Sequence, residues 1–359
     1  MKKYLLIGFC AGSLSLFGQA ALHLEPGSQM VVSDAAQLVL TDLKWNNDGT
    51  FSADGGTVIL NGTGGNTAIC GIVPTVFNNL HIDKAPNQAI LEQNIQVQGM
   101  LSLLSGNLEL NNFDIVLNGT IIGESEISRI TGITGGKVLR TENFGASANN
   151  PGNIGIVVNN NAALGNLTIQ RGHVPQNLPV GSSIQRFFAF EPGVNGANAT
   201  LRLYYLNAEL SGTAACELGI WQLVAGQWIF LGANNRNTTE KWVEISGITG
   251  LTTFTLGDAP ASFTTICATK KVDLTVYNNG IGVNNPTAIW ETSGDGMFVG
   301  GTTYDTATMY MPGEQDRKNG QVKLTLRSTT TDGDCVGAND MVFVTILKTD
   351  CGGFPWNGN

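Results

Sequence analysis

From Gln93 to Thr120, apolar residues alternate with polar ones in short bursts: Ile95-Val97, Leu101-Leu103, Leu108-Leu110 and Phe113-Ile115-Leu117. Such alternation means that one face of each strand is buried. Gly99, Ser105-Gly106, Asn111-Asn112 and Asn118-Gly119 break the bursts every six or seven residues. Strands this short cannot each bury a face alone. Stacking them as coils of roughly three strands and about 20 residues would bury a continuous core. The same pattern occupies 51–83, where Val58 and Leu60 precede Asn61-Gly62, and Phe77, Leu80 and Ile82 follow. A meandering antiparallel sheet is the alternative arrangement. The scarcity of long hairpin strands favours a β-solenoid over residues 21–170.

The pattern then changes. Residues 171–260 hold longer alternating strands, Leu201-Leu203-Tyr205 and Trp228-Phe230 among them, with Ala225-Gly226 as a hairpin turn. Five to eight strands in this span predict a β-sandwich. Residues 262–347 predict a third β-unit, closed by GQVKLTLRST and DMVFVTIL. Residues 348–359 form a short, turn-rich tail. The fold class expected is therefore all-β: a solenoid followed by two sandwiches.

Composition agrees with this and narrows the function. Glycine numbers 46 and only 13% of residues are charged, while 42% are hydrophobic. That is a turn-rich β-composition, not a disordered one. Residues 1–20 read as a secretory signal: Met1-Lys2-Lys3, then apolar Tyr4 to Phe17, then Gly18-Gln19-Ala20. Cleavage after Ala20 or Ala21 removes two lysines, leaving 17 Lys+Arg against 28 Asp+Glu, a charge near −11. An acidic chain without basic runs is a poor match for nucleic acid or anionic lipid. No later stretch reaches the length of a membrane span. The expected location is secreted, extracellular or on the outer cell surface.

Several runs resemble a known group. GTVILNGTGGNTAICG, TVFNNLHID, IQVQGMLSLLSGNLELNNFDIVLNG, GGKVLRTENFGASANNPGNIGIVV and LTIQRGHVPQ are similar to the right-handed parallel β-helix of large surface proteins from gliding and related Bacteroidetes. The run from Ala288 to Cys335 resembles the immunoglobulin-like, PKD-like modules of the same proteins, through Trp290, Tyr310-Met311-Pro312 and the Gly-x-Val-x-Leu-Thr-Leu step. The resemblance implies a sandwich between helix and module. It also implies a disulfide between Cys267 and Cys335, with Cys351 a competitor for Cys335. That bond would contribute about 3–4 kcal/mol in the chain-entropy model. Cys70 and Cys216 are read as small packed hydrophobes. Asp305-Thr306-Ala307 resembles the O-glycosylation sequon of such proteins, which marks Thr306. A type IX sorting domain often ends the family's members; none is recognised in KTDCGGFPWNGN.

Candidate chemistry is sparse. Secreted β-helices that cleave polysaccharides need clustered carboxylates, or acids on Ca²⁺ beside a base. Asp83, Glu92, Glu109, Asp114, Glu124 and Glu126 are scattered instead and read as solvated surface acids. His23, His81 and His173 lack a second ligand at zinc spacing. His81 reads as a surface residue and His173 as a structural hydrogen-bonding group at a domain junction. Asp332-Gly333-Asp334 with Asp340 offers a Ca²⁺ loop, which turn chemistry explains equally well. Trp221, Trp228, Trp242, Tyr204 and Tyr205 read as core packing first, with a sugar-stacking platform as the alternative. No catalytic residue and no firm cofactor is assigned.

The expected function is that of a secreted or surface-displayed structural or adhesin-like protein, non-enzymatic, binding surfaces, glycans or partner proteins. The contrasting reading is a carbohydrate-active protein, either a β-helix lyase or hydrolase or a glycan-binding module.

Overall fold

The computed structural model describes residues 20–215, 217–277, 288–327, 329 and 339–347. Residues 1–19 of the expected signal, Cys216, Asp332, Asp334, Cys335, Cys351 and the tail lie outside the described residues. The alternating bursts stack as expected into a parallel β-solenoid of about six turns. Thr75, Ile95 and Ile115 stand opposite one another at a spacing of 20 residues. Ala21 stands opposite Lys44, and Thr57 opposite Asn79. Three ladders of this kind run along the stack, one for each strand of a coil. Inward positions of successive coils form columns: Val58, Leu80 and Leu101 in one, Phe77, Val97 and Leu117 in another, all fully buried. Burying one such side chain is worth about 1.5–3 kcal/mol, and the stack repeats the gain at every coil. Near its start the core is plugged by rings. Trp45 lies 4.6 Å from Phe51 and 5.6 Å from Phe77, centre to centre, and its indole N–H donates to Thr75 Oγ1 at 2.9 Å.

The abundance of asparagine has a structural reason. At the corners, where the strand ladders stop, side-chain carbonyls of one coil accept backbone N–H groups of the next. Asn94 Oδ1 accepts from Asp114, Asn79 Oδ1 from Met100, and Asn107 Oδ1 from Arg129, at 2.8–3.1 Å. Backbone donors that a bend would leave unpaired are thus satisfied within the stack.

The stack ends at one strand, Lys137–Phe144, here termed the seam strand. On one edge it continues the solenoid, with Val138 parallel to Ile115. On its other edge it pairs antiparallel with Gly165–Gly172, from Lys137↔Gly172 to Phe144↔Gly165. Parallel pairing therefore gives way to antiparallel pairing inside the 21–170 span. Two long strands, Phe187–Tyr204 and Trp242–Asp258, follow. Each pairs with different neighbours at its two ends, across breaks in register between Ala189 and Val194 and between Asn195 and Ala199. The sheet thus wraps around a core of Phe188, Phe190, Leu201, Leu218, Ile220 and Phe254. This core is continuous with that of the solenoid, and a 12-stranded sheet runs through both.

The third unit has its own core, built on Trp290, Tyr310, Leu324, Leu326, Val342 and Val344. One sheet orders Ser262–Cys267, Asn339–Leu347, Gln321–Arg327 and Ile289–Thr292; the other orders Val272–Asp273, Met309–Met311 and Met297–Val299. The result is a small β-sandwich-like unit. No helix among the described residues is long and apolar enough to cross a membrane.

Candidate functional site

Two places concentrate chemistry. The first lies at the seam. In Gly165–Gly172 the alternation places Leu167, Ile169 and Arg171 on the buried face, so a guanidinium enters the core. Its partner arrives from the solenoid: after Thr120–Ile122 the chain turns at Gly123 and delivers Glu124. Gly123 has φ +80°, and a Cβ there would lie 2.5 Å from the Leu103 carbonyl oxygen, so only glycine makes this turn. Arg171 meets Glu124 with both terminal nitrogens, one at 2.8 Å, and also donates to the Ile154 carbonyl at 3.0 Å. Buried Arg186 donates to Glu209 Oε1 at 2.7 Å and stands 3.8 Å from Glu124. Glu209 Oε2 accepts the Leu206 N–H at 3.0 Å.

Two guanidinium groups and two carboxylates leave no net charge in the cluster. Burial alone would raise the Glu124 pKa, but the charges of Arg171 and Arg186 outweigh it and bring it down to about 2. His173 completes the group. Arg171 Nε donates to His173 Nε2 at 3.3 Å, so that nitrogen is the unprotonated acceptor and the ring proton sits on Nδ1. Burial first, then the charges of Arg171, Arg186 and Arg129, push the His173 pKa well below its ordinary value. The ring is neutral. A cavity of about 90 Å³ adjoins it, lined by Arg129, Thr131, His173, Gln185 and Glu209 among others. It has room for a few water molecules, not for a sugar ring.

Two expectations are corrected here and one is realised. Glu124 is not a solvated acid, because Arg171, 47 residues away, draws it into the core. Glu109 is buried as well, accepting the N–H groups of Asn111 and Ile133 at 3.1 Å. His173 does occupy a structural hydrogen bond where the two units meet. His81 is half-buried, with an Nε2 that has no partner among the described residues, so it is not a plain surface residue. Burial lowers its pKa.

The second place is an outer groove of the third unit, about 630 Å³ in volume, between the turn at Ser293-Gly294, the helix Glu314–Asn319 and the strands Gln321–Arg327 and Asn339–Leu347. Its floor is a knot of two aspartates. Asp295 accepts the N–H groups of Gln315 and Asp316 at 2.9 and 3.0 Å. Asp316 accepts from Asp295 N, Gly313 N and the Tyr310 hydroxyl at 3.2, 3.0 and 2.7 Å. The Gln315 N–H holds the Asp295 carboxyl below the usual carboxylate range. On the wall, Lys323 stands opposite Phe343 and Gln321 opposite Thr345.

The structure does not gather the five aromatic candidates on one exposed face. Trp221 is buried, its indole N–H on the Asp258 carbonyl at 3.0 Å and its ring 5.0 Å from Phe230. Tyr205 and Trp242 are buried too, and the Arg202 guanidinium covers the Trp242 ring at 3.9 Å. Tyr204 lies opposite Trp242 across the strands, and Trp228 sits apart, opposite Leu223 on the outer strand Gln227–Gly232. Asp340 lies opposite Leu326; its expected Ca²⁺ partners are outside the described residues. Among the described residues no group of three or more His, Cys, Asp or Glu side chains is arranged to hold a metal ion. Cys70 is a free, half-buried thiol, raised in pKa by burial. Cys267 is the last residue of Ser262–Cys267, and its expected partner Cys335 lies outside the described residues. Thr306 is exposed in a turn, its hydroxyl 2.5 Å from that of Thr303. Comparison with models of protein families, with curated proteins and with solved structures finds no match to this chain.

Proposed function

We propose that this chain is an exported, non-enzymatic, structural or adhesin-like protein of a cell surface, in which a stiff stalk carries β-units toward glycans or partner proteins. The seam carries this reading. Solenoid and second unit share one core and one 12-stranded sheet, and buried ion pairs lock them where a hinge would otherwise form. A stalk needs that property; a catalytic cleft does not. The chemistry of the groove also suits binding over turnover, because its two carboxyl groups are committed to backbone and tyrosine donors. In this reading residues 1–20 direct export, the third unit serves as an Ig/PKD-like module, and Cys267 pairs with Cys335 in an oxidising compartment. Thr306 is the position that would carry an O-glycan. Purified protein passed over glycan arrays and immobilised cell-envelope material is expected to be retained. Turnover of any member of a polysaccharide panel, or recovery from cells only in the periplasm, overturns the proposal.

A further inference from the structure

We infer that the first coil of the solenoid is a pairing surface for a second copy of this chain, joined head to head. The inference is independent of what the protein binds. The coil comprises Ala21–Leu24, Gln29–Val31 and Gln37–Thr41. Among the described residues each of these strands has a neighbour on one edge alone. The bonds on that edge fix what the other presents. The Leu24 carbonyl accepts from Asp48, the Val32 N–H donates to Ser52, and the Ala36 carbonyl accepts from Thr57, at 2.9–3.0 Å. A parallel strand gives alternate residues to each side, so the intervening ones, Val31 and Val39 among them, turn N–H and C=O groups away from the stack. The core is open there as well. Leu22 and Leu38 are half-buried, whereas Trp45 and Val58, their counterparts one coil on, are fully buried. Exposed edges are ordinarily guarded by charge, proline or bulges. These three strands hold no Lys, Arg, Asp, Glu or Pro, and the ring of His23 is engaged by Asp48 at 2.7 Å. Val31 and Val39 are 46% and 47% exposed.

Shape selects the occupant. A single added peptide strand covers one edge and leaves the core layer wet. Closing three edges and the core together takes another coil end of the same outline. The far end of the stack does not offer one, because it runs into the second unit through a continuous core and its last ladder is taken by Gly165–Gly172. Head-to-tail growth is therefore blocked, and the matching surface is the first coil of a second copy. Turned about a two-fold axis across the stack, its strands run opposite to those they meet. One strand pairs with its own copy, and the other two pair with each other's. Such an interface is self-complementary and closes at two copies. Leu22 and Leu38 of each copy then cover the core layer of the other. The strands hold four, three and five residues, fewer than the roughly 20–30 a side of a standard interface, so association in the micromolar range is expected. The second units lie at the two outer ends of such a pair.

The test is sedimentation velocity of the intact protein at concentrations from about 1 to 100 μM, with small-angle scattering at the highest. A reversible equilibrium between monomer and dimer is expected, with no larger species, and the dimer's maximum dimension should approach twice the monomer's. Val39→Pro removes an outward N–H that the monomer does not use. It should raise the dimer Kd about tenfold or more, with far-UV circular dichroism of the dilute monomer unchanged. Should Val39→Pro disturb the coil, Val31→Lys, a surface change on a second edge, decides in its place. A protein that stays monomeric throughout, a dimer no longer than the monomer, an open series of trimers and higher species, or a dimer indifferent to both substitutions each overturns the assignment.

Discussion

At the scale of single residues, Glu124 carries the most consequence. It faces two buried guanidinium groups, so removing its charge leaves them with Glu209 alone. Breaking a buried pair in this way costs about 3–5 kcal/mol. Glu124→Gln is therefore expected to lower the unfolding free energy at pH 7 by that amount, read from urea denaturation; an unchanged midpoint would refute the role given to the seam. The pH dependence follows from the same residue. Its pKa falls from an ordinary 4.5 to about 2 on folding, so the unfolded chain binds the proton first as pH falls. The stabilisation is complete above pH 4.5 and disappears as pH drops toward 2, amounting to about 3 kcal/mol. His173, depressed by burial and by cationic neighbours, acts in the same direction. It costs stability as pH falls below 6.5, where the unfolded ring protonates and the folded one does not. Wild-type protein should thus weaken steadily from pH 6.5 downward, and Glu124→Gln should flatten the part below 4.5. Arg171 was legible in the sequence only as an anomaly. Leu167, Ile169 and Arg171 alternate, which places a cation on the buried face, but nothing local points to an acid 47 positions earlier. Charged residues are read as exposed unless a partner is known, and here the partner is set by tertiary structure.

At the scale of elements, the coil repeat was legible and its ending was not. Alternation in Ile95-Val97 and Ile115-Leu117 fixes which side chains face inward, and Asn-Gly steps fix the corners. Both survive in the structure because a strand shifted by one residue would turn its whole apolar set outward. The seam strand breaks that alternation, since Arg140 and Glu142 stand between Val138 and Phe144 on the same face, but nothing in its sequence says that its far edge accepts an antiparallel neighbour. The groove in the third unit shows the same division. The outward positions of Gln321, Lys323, Phe343 and Thr345 follow from period two, while their juxtaposition depends on the register between two strands. Coil spacing provides a sharp test. A Cβ on Gly119 would lie 1.4 Å from the carbonyl oxygen of Gly99, one coil earlier. That is far inside contact distance, and the obstacle is backbone on both sides. Gly119→Ala should cost more than about 3 kcal/mol or prevent folding of the stack, measured by thermal melting beside a surface control such as Gly145→Ala, which meets nothing within 4 Å.

At the scale of the whole molecule, the two hydrophobic clusters define two cooperative bodies. One runs from Leu24 to Leu256 and joins solenoid to second unit; the other belongs to the third unit. Scanning calorimetry is expected to resolve two transitions. Glu124→Gln should move only the larger, and Leu324→Ala only the smaller. A single transition displaced by both variants would show that the third unit does not melt independently.

The two-sided pairing of the seam strand also bears on dimension. A parallel stack has no intrinsic length, since each coil offers the next the ladder it received. Here growth stops because Gly165–Gly172 occupies the last ladder in the opposite sense. Length is then set by how many coils precede residue 137, and each adds about 4.8 Å of rise. Duplicating or deleting one 20-residue coil, such as 95–114, would make the molecule longer or shorter by one such step while leaving both ends intact. The chain is in that sense a ruler with a fixed stop, and its reach can change in whole coils without redesign of what it holds.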